Sequence, residues 1–550
     1  MSSTPPSDPE ISDKADPGTS ALAPLALPVF RMLWFTWLAA NISMWMNDVA
    51  AAWLMTSLTT SPVLVALVQT ASTLPVFLLG LPSGALADIL DRKKFFLFTQ
   101  LWVAVVALAL CATVLSGWMS PMLLLAMTFA NGIGLALRWP VFSAIVPELV
   151  PRHQLPAALA LNGVSMNASR IVGPLVAGAL IASLGSAYVF MLNAALATVA
   201  AVIISRWKRT PTPQPLGREK LLSAIRVGMQ FMGQSAHLQG VLVRICLFFF
   251  HSTALIALLP LVARGLPGGD ARTFTLLLAC MGAGAIVAAL NMQRLRRYWS
   301  RDGLVFRGAA LQSLSMVVVA FAPHTTVAAL AMVVAGMAWI TTANTLSVSA
   351  QFALPDWVRA RGMSMYQMAI MGASASGAAI WGQVASHYEI RGSLVVAAIT
   401  GVITMGLANR WMADSQTEED LTPTRLFKVP QPKQPPGAGR VVLTIEYRID
   451  PARADEFKEL MRVSRRGRLR HGALSWDLLR DINDPGLFIE QIVDESWTEH
   501  LRRFDRVTTA DATLRDRKHA FHIGKEPPVV RRRIVESVHG SDTARTMPGD

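Results

Sequence analysis

Residues 62–94 read PVLVALVQTASTLPVFLLGLPSGALADILDRKK, and they contain the two features that decide the fold. The part from 62 to 87 is uncharged and long enough to cross a bilayer core about 30 Å thick as a helix. Asp88, Arg92, Lys93 and Lys94 follow directly, a pattern typical of a short loop on the cytoplasmic side of a membrane. The stretch therefore predicts a membrane helix that ends at a basic loop.

The composition of the whole chain agrees with a membrane protein. The 550 residues are 52% hydrophobic and only 16% charged, with a mean hydropathy of +0.40, whereas soluble domains carry about 25% charged residues. The net charge of +14 comes from short basic clusters between apolar runs, which excludes a nucleic-acid-binding surface as its explanation. Cys111, Cys246 and Cys280 lie inside apolar runs without metal-binding or disulfide spacing, so we predict no metal site.

Apolar segments of membrane-spanning length occur in two sets of six, separated by a polar interval. They lie at 31–57, 62–87, 95–117, 121–147, 155–183, 186–205, 239–263, 272–293, 305–322, 325–351, 364–386 and 392–412. In the loops, fifteen Lys and Arg residues lie on one side, against Arg264, Arg272 and Arg391 on the other. Because basic loops stay in the cytoplasm, both termini are expected there, with the chain in a bacterial-type inner membrane.

These boundaries predict an all-α membrane protein of twelve helices with a small α+β domain after it. The parts are a disordered cytoplasmic tail (1–28), two six-helix bundles (29–205 and 239–412), a cytoplasmic linker with an amphipathic helix (206–238), a second linker (413–440) and a cytoplasmic domain (441–540). The last part shows strand and helix patterns in the order βαββαβ, which indicates a ferredoxin-like sandwich.

Two short features recur about 200 residues apart at the cytoplasmic ends of corresponding helices. Asp88 with its basic cluster recurs as Asn291 before Arg294, and Pro147-Glu148 recurs as Pro355-Asp356. Two halves in the same orientation indicate parallel repeats, which place a substrate site near the membrane midplane between them.

The loop from Gly84 to Lys94 resembles that of the major facilitator superfamily. The stretch from Pro140 to Gly178 contains PVFSAIVPELVP, LPAALALN and RIVGP, and it resembles the transmembrane secretion effector branch, which includes enterobactin exporters. This resemblance implies a transporter that works by alternating access, and not an enzyme. One departure is Ile89, which stands where a basic residue commonly follows the Asp.

The same resemblance implies roles for two groups of residues. Asp88 and Arg92 resemble the family's cytoplasmic gate, with Asn291 as a weaker counterpart; a solvated basic loop is the alternative. Gly173, Pro174 and Gly178 resemble a motif typical of exporters, and close helix packing is the alternative reading of these small residues.

Few ionisable residues lie inside the apolar segments, and such residues are functional candidates because burying them in a bilayer is costly. Asp48, Arg138 and Arg170 are the candidate cavity charges and proton-coupling groups. The alternative is a permanent ion pair of Asp48 with either arginine. His251 is a candidate for substrate or proton binding, or else a histidine satisfied by a neighbouring helix.

Aromatic and amide side chains within the helices are the candidate substrate contacts, although tryptophans also serve as packing and interface anchors. With His251, the set comprises Asn41, Trp45, Trp139, Trp339 and Asn344. Because so few charges are available, we predict a bulky amphiphilic substrate, siderophore- or drug-like, exported in exchange for protons. An importer, or a membrane-anchored enzyme or sensor that acts through its C-terminal domain, remains the alternative.

The C-terminal domain also resembles the dimeric α+β barrel family of small monooxygenase-like proteins. Glu446, Trp476, Glu490, Trp497 and His500 are candidates to line a cleft on its sheet. No cofactor motif is visible, so a docking module, or a homodimer that pairs two sheets, is favoured over chemistry.

Overall fold

The computed structural model describes residues 22–208, 221–412 and 439–536, and it is mostly helical. The first six long helices are α1 (Pro28–Leu58), α2 (Pro62–Ile89), α3 (Arg92–Leu115), α4 (Pro121–Leu149), α5 (Leu155–Ser183) and α6 (Ser186–Arg206). After α7 (Leu221–Gln234) come α8 (Ala236–Gly265), α9 (Ala271–Tyr298), α10 (Arg301–Ala320), α11 (Thr325–Phe352) and α12 (Asp356–Met412).

Local sequence explains where these helices begin. Proline stands in the first turn of α1, α2, α4 and α5, where its missing N–H costs no helical hydrogen bond. The Asp91 carboxylate accepts from the Lys94 amide at the start of α3, at 3.0 Å, and Asp270 and Thr273 form a capping box on α9. The short connections therefore carry the stop and start signals that separate one apolar run from the next.

Within the described ranges, ten helices are long and apolar enough to cross a membrane. One of them, Trp357–Trp411, contains two residues with non-helical backbone angles, Tyr388 and Glu389, so two helical parts join there. The chain is thus confirmed as a mostly helical, multi-pass protein, and the number of twelve spans stays a prediction.

The described residues divide into two compact units, of which the first holds 22–208, 246–342 and 368–405. Its largest apolar cluster takes residues from the ends of α1, α3, α5, α8 and α10 and from the starts of α2, α4, α6, α9 and α11. In this cluster Met55 and Leu110 pack with Leu258 and Leu277, so both six-helix sets share one core at this end. A second cluster, at the opposite end, is built from the first set alone and includes Phe30, Phe96 and Phe142.

The second unit holds 221–245, 343–367, 406–412 and 439–536. Its last part contains β1 (Val441–Arg448), α13 (Ala454–Arg470), β2 (Ser475–Arg480), β3 (Leu487–Asp494), α14 (Trp497–Asp505), α15 (Thr509–His519) and β4 (Val529–Ile534). The strands form one antiparallel sheet in the order β2-β3-β1-β4, with Val441 opposite Asp494 on β3 and Ile534 on β4. We call residues 441–534 the sheet domain.

Within the second unit, the sheet domain packs against α7 and the start of α12. Arg226 of α7 pairs with Glu495 at 2.8 Å. The Arg506 guanidinium lies 4.9 Å from the centre of the Trp357 ring, and Phe231 meets the same indole edge-on at 5.7 Å. The amphipathic helix predicted in the linker is therefore covered on one side by folded protein.

Candidate functional site

Three side chains from both six-helix sets meet in the interior of the first unit. The Arg170 guanidinium of α5 lies 4.1 Å from the ring centre of Trp339 on α11 and 5.3 Å from that of Trp45 on α1. Phe249 extends the group, with its ring 5.4 Å from Trp339. We call Trp45, Arg170 and Trp339 the aromatic cradle. It joins residues of both six-helix sets.

The cradle presents hydrogen-bond donors that have no acceptor. Arg170 Nε and the Nε1 atoms of Trp45 and Trp339 are buried, and none finds a partner among the described residues. Leaving a buried donor unpaired costs about 1–3 kcal/mol, more for a charged group. A ligand with an oxygen acceptor or an anionic group would satisfy these donors, and its ring could lie against the indoles.

Asp48 lies on α1 and is bonded to a neighbouring helix. The Ser72 hydroxyl of α2 donates to Asp48 Oδ1 at 3.0 Å. In the part of the chain that the structure describes, Asp48 forms no ion pair with Arg138 or Arg170, so a permanent salt bridge with either arginine is wrong for this conformation. The carboxylate is instead held by a neutral hydroxyl, which leaves it available for protonation or for a new partner.

Arg138 and Trp139 of α4 contact residues of α1 other than Trp45. Arg138 Nη1 donates to the Ala40 carbonyl oxygen at 3.2 Å, and its guanidinium lies 5.3 Å from the Trp37 ring centre. Trp139 meets Trp37 edge-on at 5.6 Å. Asn41, fully buried on α1, has no described partner for either amide atom.

His251 of α8 is satisfied by its own helix and not by a neighbouring one. Its Nδ1 lies 2.8 Å from the Leu247 carbonyl oxygen, and its ring packs 5.7 Å from Trp381. A neighbouring helical segment passes close to His251, because a Cβ added to Gly401 would lie 3.2 Å from the His251 Cβ. Asn344, on α11, belongs to the second unit.

The structure describes side-chain contacts for two of the three candidate gate residues, Arg92 and Asn291. The Asp88 side chain lies outside the described part of the structure. Arg92 pairs with Glu148 at 2.6 Å and so joins the start of α3 to the end of α4. Asn291 donates to the Val287 carbonyl oxygen of its own helix at 2.8 Å. The sequence did not predict the pairing of Arg92 with Glu148, although the recurrence of Pro147-Glu148 singled out Glu148 at the end of its helix.

The small residues of α5 make close contacts with both sets of helices. A Cβ on Gly173 would lie 2.5 Å from the Trp45 Cβ, and one on Gly178 would lie 2.0 Å from Thr275 Oγ1 on α9. Both distances are too short for any larger residue. Gly173 therefore sets the approach of Trp45 to α5, while Gly178 lets the two sets of helices touch.

Arg264 makes a contact that the sequence did not predict. The contact closes the end of the bundle at which Met55 and Leu258 belong to one apolar cluster. Arg264 at the end of α8 donates to the Thr56 carbonyl oxygen and, at 3.2 Å, to Ser57 Oγ. Its guanidinium lies 5.2 Å from the Trp53 ring centre, and Trp53 stacks on Phe274 at 5.9 Å. We call this group the Arg264 latch. The sequence showed Arg264 only as a loop charge.

Replacing Arg264 by Ala should open this end more often. The loss of two hydrogen bonds and a cation–π contact, about 1.5–3 kcal/mol together, raises the open population roughly tenfold or more. The readout is the labelling rate of Thr275→Cys, placed in a background without the native cysteines, by a membrane-impermeant maleimide. The matched control is Arg272→Ala, which removes an exposed charge nearby. Equal rates in the two variants would contradict the role of the latch.

The candidates in the sheet domain do not form one cleft. In the antiparallel register Glu446 lies opposite Ile489, and Ile445 lies opposite Glu490. Since side chains alternate between the faces of a sheet, Glu446 and Glu490 point to opposite sides. The expectation that they line one cleft is therefore wrong.

Glu490 is held in a closed network under the helices. Lys518 and Ser464 donate to it at 3.0 and 2.9 Å, and Trp476 Nε1 donates at 3.0 Å. Burial opposes its ionisation, yet the charges of Lys518 and Arg468 hold the pKa of Glu490 well below its usual range. Burial in turn lowers the pKa of Lys518 to about 8. A carboxylate so fully engaged is suited to holding the domain together and poorly suited to being a base.

His500 is engaged in a similar way. Its Nδ1 lies 2.7 Å from Asp494 Oδ2, Arg532 Nε donates to its Nε2 at 3.2 Å, and Trp497 packs on its ring at 5.2 Å. Asp494 also accepts from Arg503 at 3.0 Å. These contacts tie α14 to β3 and β4 and leave neither ring nitrogen open.

Comparison with known proteins agrees with the fold and the membrane segments. A family model described as transmembrane secretion effector matches residues 19–539. The MFS-type transporter YfiS of Bacillus subtilis is 28% identical over 43% of this chain, and the match spans 56% of YfiS, so only about half of that relative is covered. The enterobactin exporter EntS of Shigella flexneri is 25% identical over 52% of this chain and 67% of EntS.

Solved structures share the fold. A bacterial homologue of the human lysosomal transporter Spinster, in an inward-facing and unoccupied conformation, superposes with a TM-score of 0.56 at 14% identity. The superposition covers 71% of this chain and 96% of the homologue.

Proposed function

We infer the function from one premise: the chain belongs to the transmembrane secretion effector family and is a multi-pass membrane transporter. We propose that it exports an amphiphilic small molecule from the cytoplasm by alternating access. The observation that carries the proposal is the aromatic cradle, in which Arg170 lies between Trp45 and Trp339 from different halves. A rocking motion of the halves would assemble and separate this site in each cycle.

The cradle narrows the substrate class. Its unpaired groups are all donors, so the substrate should carry an oxyanion or several acceptor oxygens next to a flat ring. Siderophore-like and drug-like molecules have this combination, and the related protein EntS is an enterobactin exporter. Export also agrees with the position of the Arg264 latch. The latch would keep the end of the bundle opposite the basic loops closed while a substrate enters from the cytoplasm.

We also assign proton coupling to Asp48. Among the described residues it is the carboxylate that lies inside a predicted span, and Ser72 holds it through one neutral hydrogen bond. A carboxylate that binds a proton in one access state and releases it in the other would couple export to the proton gradient. We further propose that the protein lies in a bacterial inner membrane and that both of its termini are cytoplasmic.

We propose that the sheet domain is a docking module. Glu490 and His500 are engaged in structural contacts, and the Arg226–Glu495 pair ties the domain to α7. Pairing of two such domains in a homodimer stays a prediction.

The test is transport into inverted membrane vesicles, energised by a proton gradient, with enterobactin as the probe. The expected result is accumulation that exceeds that of vesicles without the protein and that disappears when an uncoupler collapses the gradient. Accumulation that survives the uncoupler would overturn proton exchange. Uptake in the opposite direction, seen only in right-side-out vesicles, would overturn export.

A further inference from the structure

A second cluster of unpaired polar groups lies inside the first six-helix set. A cavity of about 20 Å³ opens between α1, α3, α4 and α6. Its polar lining consists of Ser43, Gln100, Asn131, Arg138 and Asn193. All five side chains are at most 8% exposed. Space of this size holds one water-sized or slightly larger particle, which is too little for the amphiphilic substrate.

Much of this lining lacks hydrogen-bond partners. Arg138 Nε and Nη2, both amide atoms of Gln100, and Ser43 Oγ are buried without a partner among the described residues. Asn131 Oδ1 is in the same state. Amide groups can turn to present N–H or oxygen, so Gln100 and Asn131 can both act as donors. With Arg138 and the Ser43 hydroxyl, the lining can offer several donors to a single small occupant of the cavity.

Arg138 also has no compensating charge among the side chains that the structure describes. An arginine keeps its positive charge in proteins, and an uncompensated charge in the middle of a membrane is costly. The described contacts of Arg138 are the Ala40 carbonyl oxygen and the Trp37 ring, both neutral.

Most acids in this half of the protein are engaged elsewhere. Between residues 22 and 208 the sequence has four of them, Asp48, Asp88, Asp91 and Glu148. Asp48 accepts from Ser72, Asp91 caps α3, and Glu148 pairs with Arg92. Asp88, whose side chain is not described, stands at the end of α2. Asp48 is eight residues beyond Ala40, which corresponds to about 12 Å along α1.

We propose that this cavity binds a small inorganic anion of the halide type, with Arg138 and Gln100 as its main ligands. A halide accepts from several converging N–H and O–H groups at once, and it neutralises the guanidinium. A water molecule would satisfy single donors but would leave the charge uncompensated. A cation is excluded by the arginine. The site is separate from the aromatic cradle and does not rest on the proposed export function.

The test uses the purified full-length protein in detergent. Thermal unfolding is followed in sodium gluconate, sodium chloride and sodium bromide at equal ionic strength. With millimolar affinity, 100 mM chloride or bromide should raise Tm of the wild type by about 3 °C over gluconate. In Arg138→Gln this rise should disappear. The matched control is Arg244→Gln, which removes a buried arginine of α8 that already bonds to Gly240 and Asn409, and it should keep the rise.

A second variant keeps the proposal testable if Arg138→Gln does not fold. Gln100→Glu supplies a carboxylate inside the cavity, so it should replace the bound anion and weaken the apparent halide affinity more than tenfold. A bromide-soaked crystal should show an anomalous peak within about 4 Å of the Arg138 guanidinium, a distance typical of an ionic contact. Equal Tm of the wild type in all three salts, or a halide rise that survives in Gln100→Glu, would overturn the proposal and leave water as the occupant.

Discussion

Asp48→Asn is expected to abolish gradient-driven export while substrate binding and exchange persist. Asparagine keeps the size of the side chain and can still bond to Ser72, whose hydroxyl lies 3.0 Å from Asp48 Oδ1. It cannot bind and release a proton, so the coupling step is lost. We expect accumulation in energised inverted vesicles to fall more than tenfold, to the level seen with an uncoupler. Exchange of labelled against unlabelled enterobactin, which needs no gradient, should fall less than twofold.

The control is Asp270→Asn, at the exposed start of α9. Asp270 caps its helix by accepting from the Thr273 amide at 2.9 Å, and asparagine caps a helix about as well as aspartate. This variant removes the same charge outside the membrane interior, so both transport measurements should stay at wild-type level. If Asp48→Asn accumulates enterobactin like the control, the proton is carried by another group and the assignment of Asp48 fails.

The sequence predicted the fold class because membrane spans leave a strong one-dimensional signal. The segment predicted at 155–183 is the helix Leu155–Ser183, and the helix Thr325–Phe352 ends one residue from its predicted limit. Proline and capping residues mark these ends. An apolar run of about 20 residues is also hard to explain except as a helix that crosses a membrane. The family resemblance, carried by Pro140–Gly178, is confirmed by a family model that matches residues 19–539.

The site was less accessible to sequence reasoning because it depends on pairs that are far apart in the chain. Trp45, Arg170 and Trp339 were each candidates, but only the packing of α1, α5 and α11 shows that they meet. Arg264 looked like an ordinary loop charge, since its acceptors at Thr56 and Ser57 belong to the other half. No local pattern encodes such a contact.

The sheet domain shows why the cleft predicted from the sequence was wrong. The sequence patterns place Glu446 and Glu490 on strands, but they do not decide which face of the sheet each residue occupies. Strand register decides the face, and a shift of one residue moves a side chain to the other side of the sheet. Glu446 lies opposite Ile489, so the two carboxylates are separated by the sheet itself. The buried face of β3 carries Phe488, Glu490, Ile492 and Asp494, so apolar and acidic residues share one face and the sequence shows no clear alternation.

Arg170→Gln is expected to have the largest effect on substrate binding. The substitution removes the charge between Trp45 and Trp339 and one of the unpaired donors of the cradle. A charged hydrogen bond to the substrate is worth about 1.5–3 kcal/mol, which corresponds to a loss of affinity of about 10- to 150-fold. The measurement is enterobactin binding to purified protein, followed by tryptophan fluorescence. Trp339→Phe, which keeps the ring but loses the N–H, should weaken binding less, by about 3- to 10-fold.

The matched control for this prediction is Arg307→Gln. Arg307 also lies over a tryptophan, 4.9 Å from the Trp299 ring centre, but it is exposed on α10. Loss of this pair should leave enterobactin binding unchanged. Arg170→Lys separates charge from geometry, because lysine keeps the charge but lacks the planar donors that fit between two indoles. Full binding by Arg170→Lys would mean that charge alone suffices, and full binding by Arg170→Gln would remove the cradle from the substrate site.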